Sequence, residues 1–474
     1  LSLAFSPHVF ADIFTVTNSS GNGWWPAQGD PGSLKEAVYN SEINPGRDTI
    51  EFNLPGGTII SAAANRIIVS VANSDLFING LSTQDGNRMN FTFSLEISGT
   101  DTDVSGINFQ TASSSIEILG SDNSVDNCSF VVSGLGQNAV WIKGGNNSIV
   151  TNSTFSGSQQ HAVSIEVGGG HTIDNCSATN IKDVAFIARG TGGNVFSNCS
   201  ASEGNHNGFG LLSKDNIIED CTAYNNDRSG IAIDNSTGQG NGNIIRRNKV
   251  FGNNQVFYMG ASKPLYDQSA IFSNGPNTEI YDNYVYDNAA HGVMIHGAFA
   301  AGAIVNDNTI GRDDLGNELG NGWNGVYIHG ANGAIVADNV VVNNGYGASH
   351  NSYFMPESVS GIRIETVTSG TVQNNYVGTD ANKINAGNAF DGITLYTNTI
   401  GVDITGNVSC NNGYYDFDNN TSHSGWNGSV GGGGIALRLG SGNNVSIVAN
   451  YVGVHKDNSD GGNKDYGISI EGGN

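Results

Sequence analysis

The sequence predicts an all-β chain: a single-stranded right-handed parallel β-helix of about twelve coils, closed at its N-terminal end by a capping helix. Three observations predict it. Charged residues make up 13% of the 474 residues, with 67 Gly and only 8 Pro, against roughly 25% charged residues in an ordinary globular chain. A strand motif, Gly-apolar-x-apolar-x, recurs as GIAID at 230–234, GVMIH at 292–296, GVYIH at 325–329, GIRIE at 361–365, GITLY at 392–396, GIALR at 434–438 and GISIE at 467–471. A turn residue recurs ahead of it: Asn127, Asn152, Asn175, Asn198, Asp220, Asn248, Asn283, Asn308, Asn339, Asn375, Asn407 and Asn450.

Each element has a physical reason. Alternation at period two sends the Ile and Val of the motif inward and the residues between them outward. A coil of this length cannot bury its own apolar face, so neighbours must stack. Stacked parallel strands repeat every ~4.8 Å. An Asn at the turn bonds its own backbone and the Asn of the next coil, which predicts a ladder. The early spacings are 25, 23, 23 and 22 residues, and later ones stretch to 43 as loops are inserted.

Ahead of the repeats, DPGSLKEAVYN offers Ser33 as N-cap and Glu36 three residues on, a capping box. Leu34, Ala37 and Val38 share one face of this short helix, which suits a lid over the open end of the core. The first segment, LSLAFSPHVFA, reads as the tail of a secretory signal ending near Ala11. The expected organisation is residues 1–11 signal remnant, 12–99 cap and first coils, and 100–474 β-helix repeats with the C-terminus cut short. Sequons such as Asn90-Phe-Thr, Asn152-Ser-Thr and Asn235-Ser-Thr are numerous in this Asn- and Ser-rich chain.

GSLKEAV at 32–38 followed by PGRDTIEF at 45–52 resembles the N-terminal motif of bacterial secreted β-helix proteins of the CSLREA type. Lys35 stands where Arg is usual, and no Cys precedes the Ser. TIGRDDLGNELGN at 309–321 and YVGTDANKINAGN at 376–388 are similar to a loop common in that group. The resemblance implies a pectin lyase-like fold and secretion. It implies no reaction, because that fold hosts lyases, hydrolases, epimerases and adhesins.

The net charge of −24 disfavours nucleic acid and anionic membranes as partners. No run of about 18 apolar residues follows the first segment, so no membrane insertion is expected. The expected partner is a polysaccharide, and a polyanionic one would need a local basic patch or bound cations. Cys128, Cys176, Cys199 and Cys221 each follow the turn residue and so share one column. A bridge Cys176–Cys199 or Cys199–Cys221 is within reach, against a plain stack of small residues; Cys128 is two coils away from Cys176. No C-x-x-C motif marks zinc or redox chemistry. Acidic turns at Asp101 and Asp103, Asp313 and Asp314, and Asp457 and Asp460 are candidate weak Ca2+ sites, though none is a full calcium loop.

Chemistry is sought among the outward residues. One column runs Trp141, Ser164, Phe186, Gly210, Ala232, Met294, Tyr327, Arg363, Thr394, Ala436; the other runs Lys143, Glu166, Ala188, Leu212, Asp234, His296, His329, Glu365, Tyr396, Arg438. The early coils read as bland, and the later ones are dense in His, Tyr, Arg and Glu. Insertions at 253–269, 342–359 and 411–433 add Lys263, Tyr266, His350 and Trp426, and long insertions are often functional. β-Elimination on a uronate needs a base, a carboxylate neutraliser and an acid. His329 or Tyr327 is the candidate base, Arg363 the neutraliser, and His296 or Tyr396 the acid. Glu365, Arg438, Asp234, Lys263, Tyr266, His350 and Trp426 are candidate substrate contacts. Asp234 and Glu365, four coils apart, are too distant for a glycosidase pair. His296, His329 and Glu365 share a column and are weighed as a metal trio, but no metal is assigned. Two functions stand side by side: an extracellular, polysaccharide lyase-like enzyme with its cleft on the later coils, and a non-catalytic surface adhesion or structural module.

Overall fold

Three kinds of strand alternate along the chain, and each pairs in parallel only with its own kind. The computed structural model describes residues 11–20, 29–44, 46–62, 66–70, 75–157, 160–235, 238–254, 269–345, 359–413, 432–439 and 444–471. It divides into two compact units at residues 205 and 206. In the first unit one coil is Asp48–Phe52 on a first sheet, Ile59–Ile60 on a second and Arg66–Val69 on a third. The series repeats to Thr172–Asp174, Ser177–Thr179 and Phe186–Ala188. The second unit runs from Ile217–Glu219, Thr222–Tyr224 and Ile231–Ile233 to Ser446–Val448, Tyr451–Val452 and Tyr466–Glu471. Both are parallel β-helices.

The six complete coils of the first unit and eight of the second exceed the expected dozen. Coils before residue 127 carry Gly106 and Gly80 where later ones carry a polar turn residue. The strand Ser269–Ser273 escaped because Ala270 stands where its neighbours have Gly. That glycine is required at Gly230, Gly292, Gly325, Gly361, Gly392 and Gly434, where a Cβ would come within 3.0 Å of a neighbour. A Cβ on Gly361 would lie 2.6 Å from Val377 Cγ1 and 2.8 Å from the Gly392 carbonyl oxygen.

The turn asparagines prove to be two columns, not one. Asn127, Asn152, Asn175, Asn198 and Asp220 have φ near +50°, as do Arg247, Asp282, Asp307 and Asp338. After Gly, Asn and Asp tolerate that left-handed geometry best. Asn248, Asn283, Asn308, Asn339, Asn375 and Asn407 sit one residue later and point inward, in the place that Cys128, Cys176, Cys199 and Cys221 hold in their own coils. In the second unit this inner column is a continuous amide ladder. Asn339 Nδ2 donates to the Val305 carbonyl and to Asn375 Oδ1, both at 2.9 Å, and Asn339 Oδ1 accepts from the Asn308 backbone at 3.0 Å. A second ladder through Asn253, Asn288, Asn321, Asn344, Asn388 and Asn412 secures the next turn.

The first unit's core is aromatic. Phe109, Phe130 and Phe155 stack at 5.0 and 4.9 Å with rings 4° and 5° from parallel, the coil spacing imposed on identical side chains. At its start, Leu34–Glu42 forms the expected helix. Ser33 Oγ accepts from the Glu36 backbone at 3.2 Å and the Glu36 carboxylate accepts from Gly32 N at 2.5 Å. Leu34, Ala37 and Val38 are buried against Ile13–Val16 and Asp48–Phe52. Among the described residues no helix is long and apolar enough to cross a membrane.

Candidate functional site

The third sheet of the second unit carries three outward columns. The last expected one is in register: His296, His329, Glu365, Tyr396, Arg438 and Glu471 lie on successive coils. The middle one is Ala232, Phe272, Met294, Tyr327, Arg363, Thr394, Ala436. Phe272 comes from the strand missed in the sequence, and it joins Ala232 and Met294 in an apolar cluster on which Tyr327 packs. The third column, His291, Asn324, Ser360 and Asp391, was overlooked. Its signal was the residue just before the motif glycine, as in HGVMIH, SGIRIE and DGITLY.

Within this face Glu365 is the hub. Tyr327 OH donates to Glu365 Oε2 at 2.9 Å, and Arg363 Nη2 donates to the same oxygen at 2.8 Å. The Arg363 guanidinium lies 4.5 Å from the Tyr396 ring centre and 5.4 Å from that of Tyr327, in cation–π range. His296 and His329 stack at 4.8 Å, 11° from parallel. Burial, with the charge of His329, holds His296 below its ordinary pKa. Burial pushes His291 down to about 3, helped by Arg363. Burial and the Glu365 charge raise the Tyr327 phenol well above its usual range. Tyr327 is therefore a neutral donor, and Glu365 Oε2 already accepts two bonds. His329 Nδ1 is buried without a hydrogen-bond partner among the described residues.

Arg438 reaches across the face to Asp391 at 3.1 Å and to Glu471 at 3.8 Å. Asp391 also accepts from Gly433 N, Thr394 Oγ1 and Tyr466 OH. The structure thus brings His296, His329, Tyr327, Arg363, Glu365, Tyr396 and Arg438 onto one face. Asp234 lies earlier on the last column, accepting from Asn274 at 3.3 Å. Lys263, Tyr266, His350 and Trp426 lie outside the described residues. No three His, Cys, Asp or Glu side chains converge as a metal site among the described residues. Four of these acidic residues are already engaged: Asp313 accepts from Leu315 N and from Asn317, Asp314 pairs with Lys249 at 2.6 Å, Asp103 with Arg47 at 2.6 Å, and Asp457 with Lys383.

Two expectations for the first unit need correction. Phe186 and Ala188 face the core, and Ile187 and Arg189 face outward, because Ser164 pairs with Ile187. The frame slipped because FIA offers apolar residues at every position. Nor is the early face bland. Glu96 and Glu117 lie in register and share Arg66, Lys143 holds Glu117 at 3.0 Å, and Arg189 holds Glu166 at 2.5 Å. The cysteines are buried thiols, with no disulfide among them. The contact with Cys199, and then burial, raises the pKa of Cys176.

Residues 105–268 match the family profile described as the right handed beta helix region. No curated protein matches the sequence. Among the solved structures similar to the chain are the following three. The A-module of mannuronan C-5 epimerase AlgE4 from Azotobacter vinelandii is 14% identical with a TM-score of 0.44, covering 87% of this chain and 93% of its own. The tailspike protein of E. coli bacteriophage HK620 is 12% identical with a TM-score of 0.37, covering 94% and 76%. The alginate lyase AlyF-OU02 is 11% identical with a TM-score of 0.40, covering 98% and 97%.

Proposed function

We propose that the chain is an extracellular polysaccharide-binding protein that holds its ligand along the outer side of the third sheet in the second unit. One observation carries this: on four successive coils, His296, His329, Glu365 and Tyr396 form a half-exposed column backed by the Tyr327–Arg363–Tyr396 sandwich. Aromatic rings beside fixed hydrogen-bonding groups suit sugars, whose faces are apolar and whose rims are hydroxyls. Its place outside the cell rests on the signal-like segment of residues 1–11.

Uronate elimination is less well supported. Its neutraliser, Arg363, already holds Glu365, and its candidate base Tyr327 is protonated and donating to the same carboxylate. His329 is the better candidate for moving a proton. A module that grips polysaccharide without cleaving it is the form of the reading that the geometry favours.

Affinity electrophoresis of the intact chain through gels holding neutral and anionic polysaccharides tests it. At least one should retard the parent, and Tyr396→Ala or His329→Ala should abolish most of that retardation. A parent retarded by none of them would sink the proposal.

A further inference from the structure

We propose that this face selects an uncharged polysaccharide and refuses a polyuronate. The inference rests on the binding reading above and adds the chemical class of the ligand.

It comes from the charges on the outward columns. From Asp234 to Glu471 they hold two cations, Arg363 and Arg438, and four carboxylates, Asp234, Glu365, Asp391 and Glu471. Both cations are committed within the face. Arg363 is 2.8 Å from Glu365, and Arg438 is 3.1 Å from Asp391, a carboxylate only 1% exposed. The third carboxylate in reach, Glu471, lies 3.8 Å from Arg438. His291 and His296 are held neutral by burial. The insertions between these strands do not restore positive charge, since in sequence they carry Lys263 against Asp267, Glu357, Asp416 and Asp418.

A polyuronate brings one carboxylate per sugar. To bind here it would have to displace Glu365 or Asp391 from its arginine or lie beside them unpaired, and like charges so placed repel. Hydroxyls meet no such penalty. The half-exposed imidazoles and the Tyr396 ring provide the acceptors and faces they need.

The test uses the intact chain at pH 7, in a chelator so that no divalent ion bridges carboxylates. Its affinity for a neutral galactomannan is compared with that for polygalacturonate of matched length. Glu365→Gln is run alongside, with its fold checked by circular dichroism. The parent should bind the galactomannan at least about tenfold more tightly, and Glu365→Gln, which removes one negative charge from the face, should narrow that gap. Polygalacturonate bound as tightly as galactomannan, with binding lost in Tyr396→Ala, would overturn the inference while leaving the binding site standing. Binding of neither polymer, nor of any other glycan, would overturn both. The parent comparison decides the matter even if the variant misfolds.

Discussion

Tyr327 and Glu365, two residues on adjacent coils, are joined by a 2.9 Å hydrogen bond from the phenol to the carboxylate. Arg363 closes the arrangement from two residues back on the Glu365 strand. Removing the carboxylate takes the Glu365 charge away from a guanidinium only 10% exposed. Glu365→Ala should cost about 2–3 kcal/mol in urea unfolding and Tyr327→Phe about 1 kcal/mol. The two should couple in a double-mutant cycle. Alkaline absorbance titration should show the Tyr327 phenol ionising at lower pH in Glu365→Gln than in the parent, because the nearby charge that raises it is gone.

The inner amide ladder separates asparagines that look alike in sequence. Asn339→Ala removes two donated and at least one accepted bond in a buried site, and should destabilise by about 3 kcal/mol. Asp338, its neighbour, has φ near +56°, which Gly adopts freely. Asp338→Gly should change stability by less than about 1 kcal/mol, measured in the same denaturant.

His291 makes stability depend on pH in a defined direction. Its folded pKa is pushed down to about 3 from an ordinary 6.5. Above pH 6.5 both folded and unfolded states are neutral there, and nothing is gained or lost. Between 6.5 and 3 the unfolded chain takes a proton that the folded one refuses. Stability therefore falls as pH drops, by up to about 1.4 kcal/mol per pH unit from this group. His291→Gln should flatten that slope between pH 6.5 and 4 relative to the parent.

The five buried cysteines should be chemically silent in the native protein. Burial pushes Cys128 up to about 12 and Cys410 to about 11, so thiolate is scarce at pH 8. A thiol reagent should label the five cysteines only after unfolding. Rapid native labelling, or a cross-linked pair in the non-reduced protein, would contradict the structure.

How far the sequence could be read depended on the residue. The Gly-Ile-x-Ile strands and the Ser33–Glu36 cap announced themselves, because period-two alternation and capping are local rules. The asparagine columns did not separate, since one residue of offset is invisible until backbone angles are known. Phe186-Ile187-Ala188 gave no polar mark to set its facing. Ser360 and Asp391 fell outside the alternating motif, although they face the same side. The density of His, Tyr, Arg and Glu after residue 290 was plain in the sequence. That Glu365 would occupy both Tyr327 and Arg363 was not, because it depends on rotamers across two coils.

Hydroxyl-radical footprinting by mass spectrometry, with and without a saturating polysaccharide that retards the chain, tests most directly where ligand sits. Oxidation of His296, His329 and Tyr396 should fall several-fold on binding, while exposed Leu135 in the first unit is oxidised as before. Unchanged oxidation of those three, with protection appearing around Leu135 or elsewhere in the first unit, would contradict this placement.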